Sequence, residues 1–551
     1  MTVTEQLQEF RHYRNAYFLA VSAAMGSVFY GYDIGIIGGV ITLPSFKAYF
    51  GINEMSDSAK AALSGNIVAI LQGGCFFGAL GTGYFSNRWG RKPCMIAAGL
   101  IYIIGSVIQA VVGLGTSRAS ALSVLYFGRF FAGLGVGMVS ALVPAYVSEC
   151  TPRAIRGRCT GMVQMANNVG IMLSYWVNYS ASLNIPGTTD RQWRMPFAVQ
   201  VFPGVLFCLL VPFQPESPRY LVEQNREDAA ARSLAFVART SPTDKAVLAT
   251  IEEIKADFAG RGQLGVWKQV TRMFETRAIA LRCLIPSLVM FGQQWTGTNA
   301  INYFSPQIFA SLGISGTTAG LLATGVYGVV KVVSISIVLF FAVESWGRKK
   351  CLIIGGLGQG FMMLWLGGYT GIHPSSAVVP ASYVSIVAVY LYAVFYCVGW
   401  GPLPWVVAGE VAPNHLRGGA MAVAVGVNWL FSFTISKLTP IMLNNIKYGT
   451  FLLFGFCCLI MAVWAYACLP ETTGYALEDI GLLFEEDVVL RAVGDAPGGK
   501  WLLGGRRAKE IRRRAVGGGG EDGKRVSGDV ESGKDRDDEK GSVDGSEVAP
   551  I

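Results

Sequence analysis

The chain has 551 residues, of which 52% are apolar and only 15% charged, with a mean hydropathy of +0.43 and a net charge of +9. It is too apolar and too sparsely charged for a soluble domain and reads as a polytopic membrane protein. The positive balance then reads as a bias of one set of loops, with no nucleic-acid partner implied. The eleven cysteines form no CxxC pair and the three histidines are far apart, which argues against a disulfide framework, a structural metal or a catalytic dyad.

Glu5, Glu9, Arg11 and Arg14 precede Tyr17, so the N-terminal stretch 1–15 does not read as a cleavable signal and is expected in the cytoplasm. Apolar runs of about 20 residues or more, enough to cross a bilayer, fall at 16–41, 61–85, 94–114, 121–148, 158–182 and 195–213 (spans 1 to 6). A polar interruption, 214–279, should form short amphipathic helices on the membrane surface. Spans 7 to 12 follow at 280–310, 316–342, 351–371, 382–409, 417–440 and 448–469. The chain thus divides into a first bundle at 16–213, the linker, a second bundle at 280–484, and a Gly-rich, charged tail at 485–551 that is expected to be disordered. That tail carries a basic patch at Arg506, Arg507, Lys509, Arg512, Arg513 and Arg514 suited to anionic lipid.

An even number of spans puts both termini on one side. The clusters Arg88-Arg91-Lys92, Arg153-Arg156-Arg158 and Arg348-Lys349-Lys350 share that side, which is therefore expected to be cytoplasmic. The halves also repeat. Trp89-Gly90-Arg91-Lys92 returns as Trp346-Gly347-Arg348-Lys349, Glu149 with Arg156-Gly157 returns as Glu410 with Arg417-Gly418, and Pro215-Glu216-Ser217 returns as Pro470-Glu471-Thr472. Three motifs in one order at nearly constant spacing imply two parallel six-helix bundles with a solute site between them.

Span 7 carries Gln293, Gln294, Asn299 and Asn302 about halfway across, with Gly297 and Pro306 to interrupt the helix. Polar groups at that depth call for a wet cavity, and amides offer both donors and acceptors to a polyhydroxylated solute. A lone amide there is as readily helix-packing glue; four together favour the cavity. Asp33 in span 1 is deep enough to be costly unpaired, and Arg129 in span 4 is its natural partner. A carboxylate ionised beside arginine and protonated once the arginine moves away is a proton carrier; the alternative is a fixed buried ion pair. Trp405, among the prolines of span 10, offers an apolar ring to a sugar-like face, and those prolines favour a bent helix.

These motifs (GYDIGIIGG, SNRWGRK, GRFFAGLGVG, PESPRYL, QQWTGTNAINYFSP, GWGPLPW and PETTG) resemble the sugar porter family of the major facilitator superfamily over roughly residues 15 to 485. Within that family the chain is most similar to fungal quinate-permease-type members. The resemblance implies an all-α membrane protein of twelve spans that works by alternating access, with no enzymatic step and no cofactor beyond a proton gradient. It assigns Gln164 in span 5 and Asn428 in span 11 to solute binding alongside the span 7 amides. It also assigns Arg91, Glu149, Arg156, Glu344, Arg348, Glu410 and Arg417, with Glu216 and Glu471 joining from the loops, to a cytoplasmic latch; otherwise these arginines only fix topology.

Lys331, near the middle of span 8, departs from the pattern, since neutral-hexose porters tend to carry a binding Asn there. Spans 7 to 12 hold no carboxylate at its depth. Either Lys331 faces the cavity and takes the carboxylate of an acidic solute such as quinate, or it snorkels or pairs with Asp33. The expected activity is proton-coupled symport of a sugar, polyol or sugar acid by a plasma-membrane monomer in the lipid bilayer. A facilitative uniporter of neutral hexose or pentose, and a non-transporting nutrient sensor, are the alternatives.

Overall fold

A computed structural model describes residues 11–114, 118–152, 154–259, 271–314, 316–339, 346–373, 379–413, 416–473, 479–484 and residue 492. Glu344, Arg153 and the basic patch of the tail lie outside the described residues.

All twelve expected spans are helical. Among the described residues, ten helices are long and apolar enough to cross a membrane. The two that fall short of that measure are the more polar span 5, Arg156–Asn184, and span 7, which is split into Arg277–Trp295 and Thr298–Ser311. The helices overrun the apolar runs at several ends, as in span 2 (Asp57–Trp89) and span 6 (Arg191–Phe213), because a helix does not stop at the edge of hydrocarbon. Their outward faces carry Phe77, Leu100, Ile104, Phe202, Leu209 and Ile460, all exposed, as lipid-facing surfaces are. The linker folds into Pro218–Glu223, Glu227–Ala238 and Lys245–Ala259, as its amphipathic pattern predicts.

The first six spans pack mainly on one another, as do the last six, and the groups meet along span 2 with span 11 and span 5 with span 8. Close approach depends on small residues. A Cβ on Gly31 would lie 1.9 Å from the Asn167 carbonyl oxygen, which ties span 1 to span 5 at backbone contact.

The two ends of the interface differ. Away from the repeated motifs, residues of both halves share one apolar core, with Ile36, Ile37 and Ile67 packed with Ile301, Phe304 and Phe309. Polar contacts seal the same end: Ser182 and Thr318 hydroxyls lie 2.9 Å apart, and Lys437 Nζ donates to Asn66 Oδ1. Toward the motifs, the first half has a core centred on Val139, Val143 and Phe207, which the second half joins through Val425 and Trp429, and the second half has another centred on Trp400 and Val407. The molecule is therefore closed at the end opposite the motifs.

Candidate functional site

Span 7 is broken at Gly297, whose φ of +85° admits glycine most readily, and bent again at Phe304, two residues before Pro306. The break lets its second half lean across to span 1: a Cβ on Gly38 would come within 2.2 Å of the Tyr303 carbonyl oxygen. Tyr303 then accepts from Gln72 Nε2 through its hydroxyl at 2.5 Å, and Tyr175 donates to the Asn302 carbonyl at 2.9 Å. Span 10 breaks likewise, into Pro380–Val398 and Leu403–Val411. The carbonyls freed at Trp400 and Gly401 accept from Gln293 Nε2 at 2.8 and 2.9 Å.

Between the halves these breaks leave a cavity of about 70 Å³. Every residue expected to bind solute lines it: Gln164, Gln293, Gln294, Asn299, Asn302, Lys331, Trp405 and Asn428. They do not stand alike. Gln293 is committed to the broken span 10, and its Oε1 accepts from Asn428 Nδ2 at 2.9 Å. Asn299 Nδ2 bridges Gln294 Oε1 at 2.6 Å and Ser432 Oγ at 3.0 Å. The amides are thus glue and lining at once, holding one another in place while bounding the cavity.

Lys331 faces the cavity and is 2% exposed. Its Nζ donates to Asn302 Oδ1 at 3.3 Å and lies over the rings of Tyr396 and Tyr327, 5.3 and 5.9 Å from their centroids. It neither snorkels nor pairs with Asp33, and among the described residues it has no carboxylate partner. Tyr327 reaches the same Asn302 oxygen at 3.4 Å. A buried cation held by an amide oxygen and two ring faces is incompletely neutralised.

Asp33 and Arg129 meet at 3.4 Å, both fully buried, within the first half. They stand one layer behind the cavity, which span 1 lines with Tyr30 and Ile34 on either side of Asp33. Arg129 also donates to the Ile67 carbonyl at 2.7 Å and Gln109 Oε1 at 3.5 Å. Asp33 Oδ2 and Arg129 Nη2 are buried without a hydrogen-bond partner, so the pair is not locked by a complete network.

The charge motifs form two matching clusters. Arg91 forks onto Glu149 at 3.1 and 3.3 Å, and Arg348 meets Glu410 at 3.0 Å, each pair inside one half. Glu216 and Glu471 do something else. Glu216 takes the backbone N–H groups of Arg91 and Lys92 at 3.0 and 3.2 Å, and Glu471 those of Arg348 and Lys349 at 2.9 and 3.2 Å, as anions at helix N-termini. Gly90 and Gly347 are required there, since a Cβ on either would lie 2.5 Å from the Glu carboxylate. Burial pushes the Glu216 carboxyl above its ordinary range, against the pull of those amides. Arg156 donates to the Thr151 carbonyl at 3.4 Å and Arg417 opens span 11 at the same end.

The sequence did not single out Tyr30, Asn167, Asn168, Tyr396, Trp429 or Ser432, which also line the cavity. Asn167 leaves its buried Nδ2 without a partner. The one available signal was spacing: Asn167 and Asn168 lie about one helical turn beyond Gln164 on span 5.

Residues 19–484 match the family described as "Sugar (and other) transporter". A probable quinate permease of Aspergillus fumigatus is 36% identical over 487 residues, covering 86% of this chain and 88% of the relative. A quinate permease of Neurospora terricola is 35% identical over 480 residues, covering 85% and 88%. Among solved structures, the proton:xylose symporter XylE bound to 6-bromo-6-deoxy-D-glucose superposes with a TM-score of 0.73 at 29% identity, over 86% of this chain and all of that one. XylE from E. coli in a partially occluded inward-open conformation gives 0.72 at 28% identity, over 84% and all. With a family match across residues 19–484, relatives above 30% identity over most of the chain and a shared fold, this chain belongs to the sugar transporter family of the major facilitator superfamily and is a membrane transporter, not an enzyme.

Proposed function

We propose that this transporter carries a carboxylated polyol, with quinate or a related sugar acid as the favoured solute, together with a proton. Lys331 carries the reading: a buried cation on the cavity wall, without a carboxylate partner among the described residues, offers a charge-assisted hydrogen bond to a solute carboxylate. Gln164, Gln294, Asn299 and Asn302 supply donors and acceptors for ring hydroxyls, and Trp405 an apolar face. The names of the permease relatives support the same solute class.

Proton coupling is assigned to Asp33 with Arg129. The pair is buried, incompletely hydrogen-bonded and one layer from the solute, so displacing the arginine leaves a carboxylate that must be neutralised. The Arg91–Glu149 and Arg348–Glu410 pairs, with Glu216 and Glu471 on the helix ends and Arg156 and Arg417 at the same end, form the latch whose rearrangement accompanies opening, and the family resemblance adds Glu344 to it. We assign this end and both termini to the cytoplasm from the basic clusters, and the plasma membrane and a working monomer from the family resemblance. Glucose, xylose or another neutral sugar carried without a proton is the second reading, favoured by the amides, which bind hydroxyls whatever the solute charge.

Uptake of labelled quinate into vesicles, with and without an inward proton gradient and in competition with galacturonate, glucose and xylose, tests the assignment. Gradient-driven quinate accumulation that glucose and xylose do not compete away supports it. Neutral-sugar uptake indifferent to pH overturns it.

A further inference from the structure

A second cleft, of about 510 Å³, opens at the motif end between spans 2, 3 and 6 and the linker helix Glu227–Ala238. That helix turns one face to it, with Ala229, Arg232, Ser233 and Phe236 recurring at helical spacing. Lys92 and Arg226 join Arg232 on the lining, with Glu216 as the lone acid. Glu216 is already engaged by backbone amides, and Lys92 Nζ donates to the Pro212 carbonyl at 2.6 Å. Among the described residues, Arg226 and Arg232 make no ion pair or side-chain hydrogen bond, and both are exposed. The rim is aromatic: Trp89 and Phe213 are 55% and 73% exposed and continue the apolar outer surface of spans 2 and 6.

Two unengaged guanidiniums beside a lipid-facing aromatic rim match an amphiphile with an anionic head and apolar tails. We infer that this cleft binds an anionic phospholipid of the adjacent leaflet, its phosphate and carboxylate oxygens on Arg226 and Arg232 and its acyl chains along Trp89 and Phe213. Arginine pairs bidentately with phosphate, and tryptophan belongs at the headgroup level. A lipid here bridges the linker to the first bundle, next to the helix-end carboxylate Glu216. The site is independent of which solute the cavity carries.

Native mass spectrometry of the full-length protein, titrated with palmitoyl-oleoyl phosphatidylserine or phosphatidylcholine, tests this. The wild type should retain phosphatidylserine in preference. Arg226→Gln with Arg232→Gln should lower that retention by about tenfold, two cations having been removed from the surface. Phosphatidylcholine retention and the unfolding temperature should not change, and Lys245→Gln, on the linker but outside the cleft, should leave phosphatidylserine binding intact. Equal retention of both lipids, an unaffected double variant, or displacement by inorganic phosphate would overturn the proposal. So would phosphatidylserine binding that appears only after the tail beyond residue 520 is removed, since the occupant would then be the tail.

Discussion

Lys331 Nζ stands 3.3 Å from Asn302 Oδ1, span 8 against the broken span 7, and the two close one wall of the central cavity. An amide oxygen orients the ammonium without cancelling its charge. The cation is thereby held in position and left available, as a carboxylate-binding subsite requires.

Asn302→Asp keeps the shape of that side chain and supplies the missing counter-charge. It should cut quinate uptake by about tenfold or more, the scale of one charge-assisted hydrogen bond, and spare any residual neutral-sugar uptake. Competition curves for the two solute classes measured side by side check this; parallel loss of both would make Asn302 a packing residue.

Asp33→Asn removes the ionisable group facing Arg129 while keeping its size. Accumulation against a gradient should be abolished, with counterflow exchange retained. Vesicles preloaded with unlabelled solute distinguish the two activities, and undiminished concentrative uptake would free Asp33 of the coupling role.

Gly90 and Gly347 hold φ near +90° with a carboxylate where a Cβ would go. Alanine at either should cost about 1–2 kcal/mol in backbone strain alone, before the clash. Thermal unfolding should fall for Gly90→Ala and Gly347→Ala and stay level or rise for Gly83→Ala, a helical position with nothing within 4 Å. Equal midpoints for all three would contradict the helix-end role given to Glu216 and Glu471.

Glu149→Gln and Glu410→Gln each weaken a partly buried pair, leaving an arginine short of its anion. A loss on the order of a few kcal/mol is expected at each site, with transport slowed while the protein still reaches the membrane. Cysteine cross-linking across the motif end, read with and without solute, should show an altered ratio of open to closed molecules.

The spans, the repeat and the breaks in spans 7 and 10 were legible because length, glycine and proline act locally. The rotational phase of each helix was less so. Spans 1, 2 and 11 are apolar around most of their circumference, so nothing in the residue order turned Tyr30, Gln72, Trp429 or Ser432 toward the centre. Lys331 was legible as an anomaly, yet its alternatives fell only once Asp33 was seen engaged by Arg129 and Asn302 was seen at the ammonium. Glu216 and Glu471 repeat in the sequence, but the placing of their carboxylates on backbone amides at the helix ends depends on how Gly90 and Gly347 turn the chain.

The most direct measurement is labelled quinate uptake by wild type and Lys331→Asn, with glucose and xylose in parallel under one proton gradient. The wild type should accumulate quinate, and the variant should lose that uptake by about tenfold or more with neutral-sugar transport unchanged or improved. Full quinate uptake by the variant would contradict the account, as would equal loss of acid and neutral solutes.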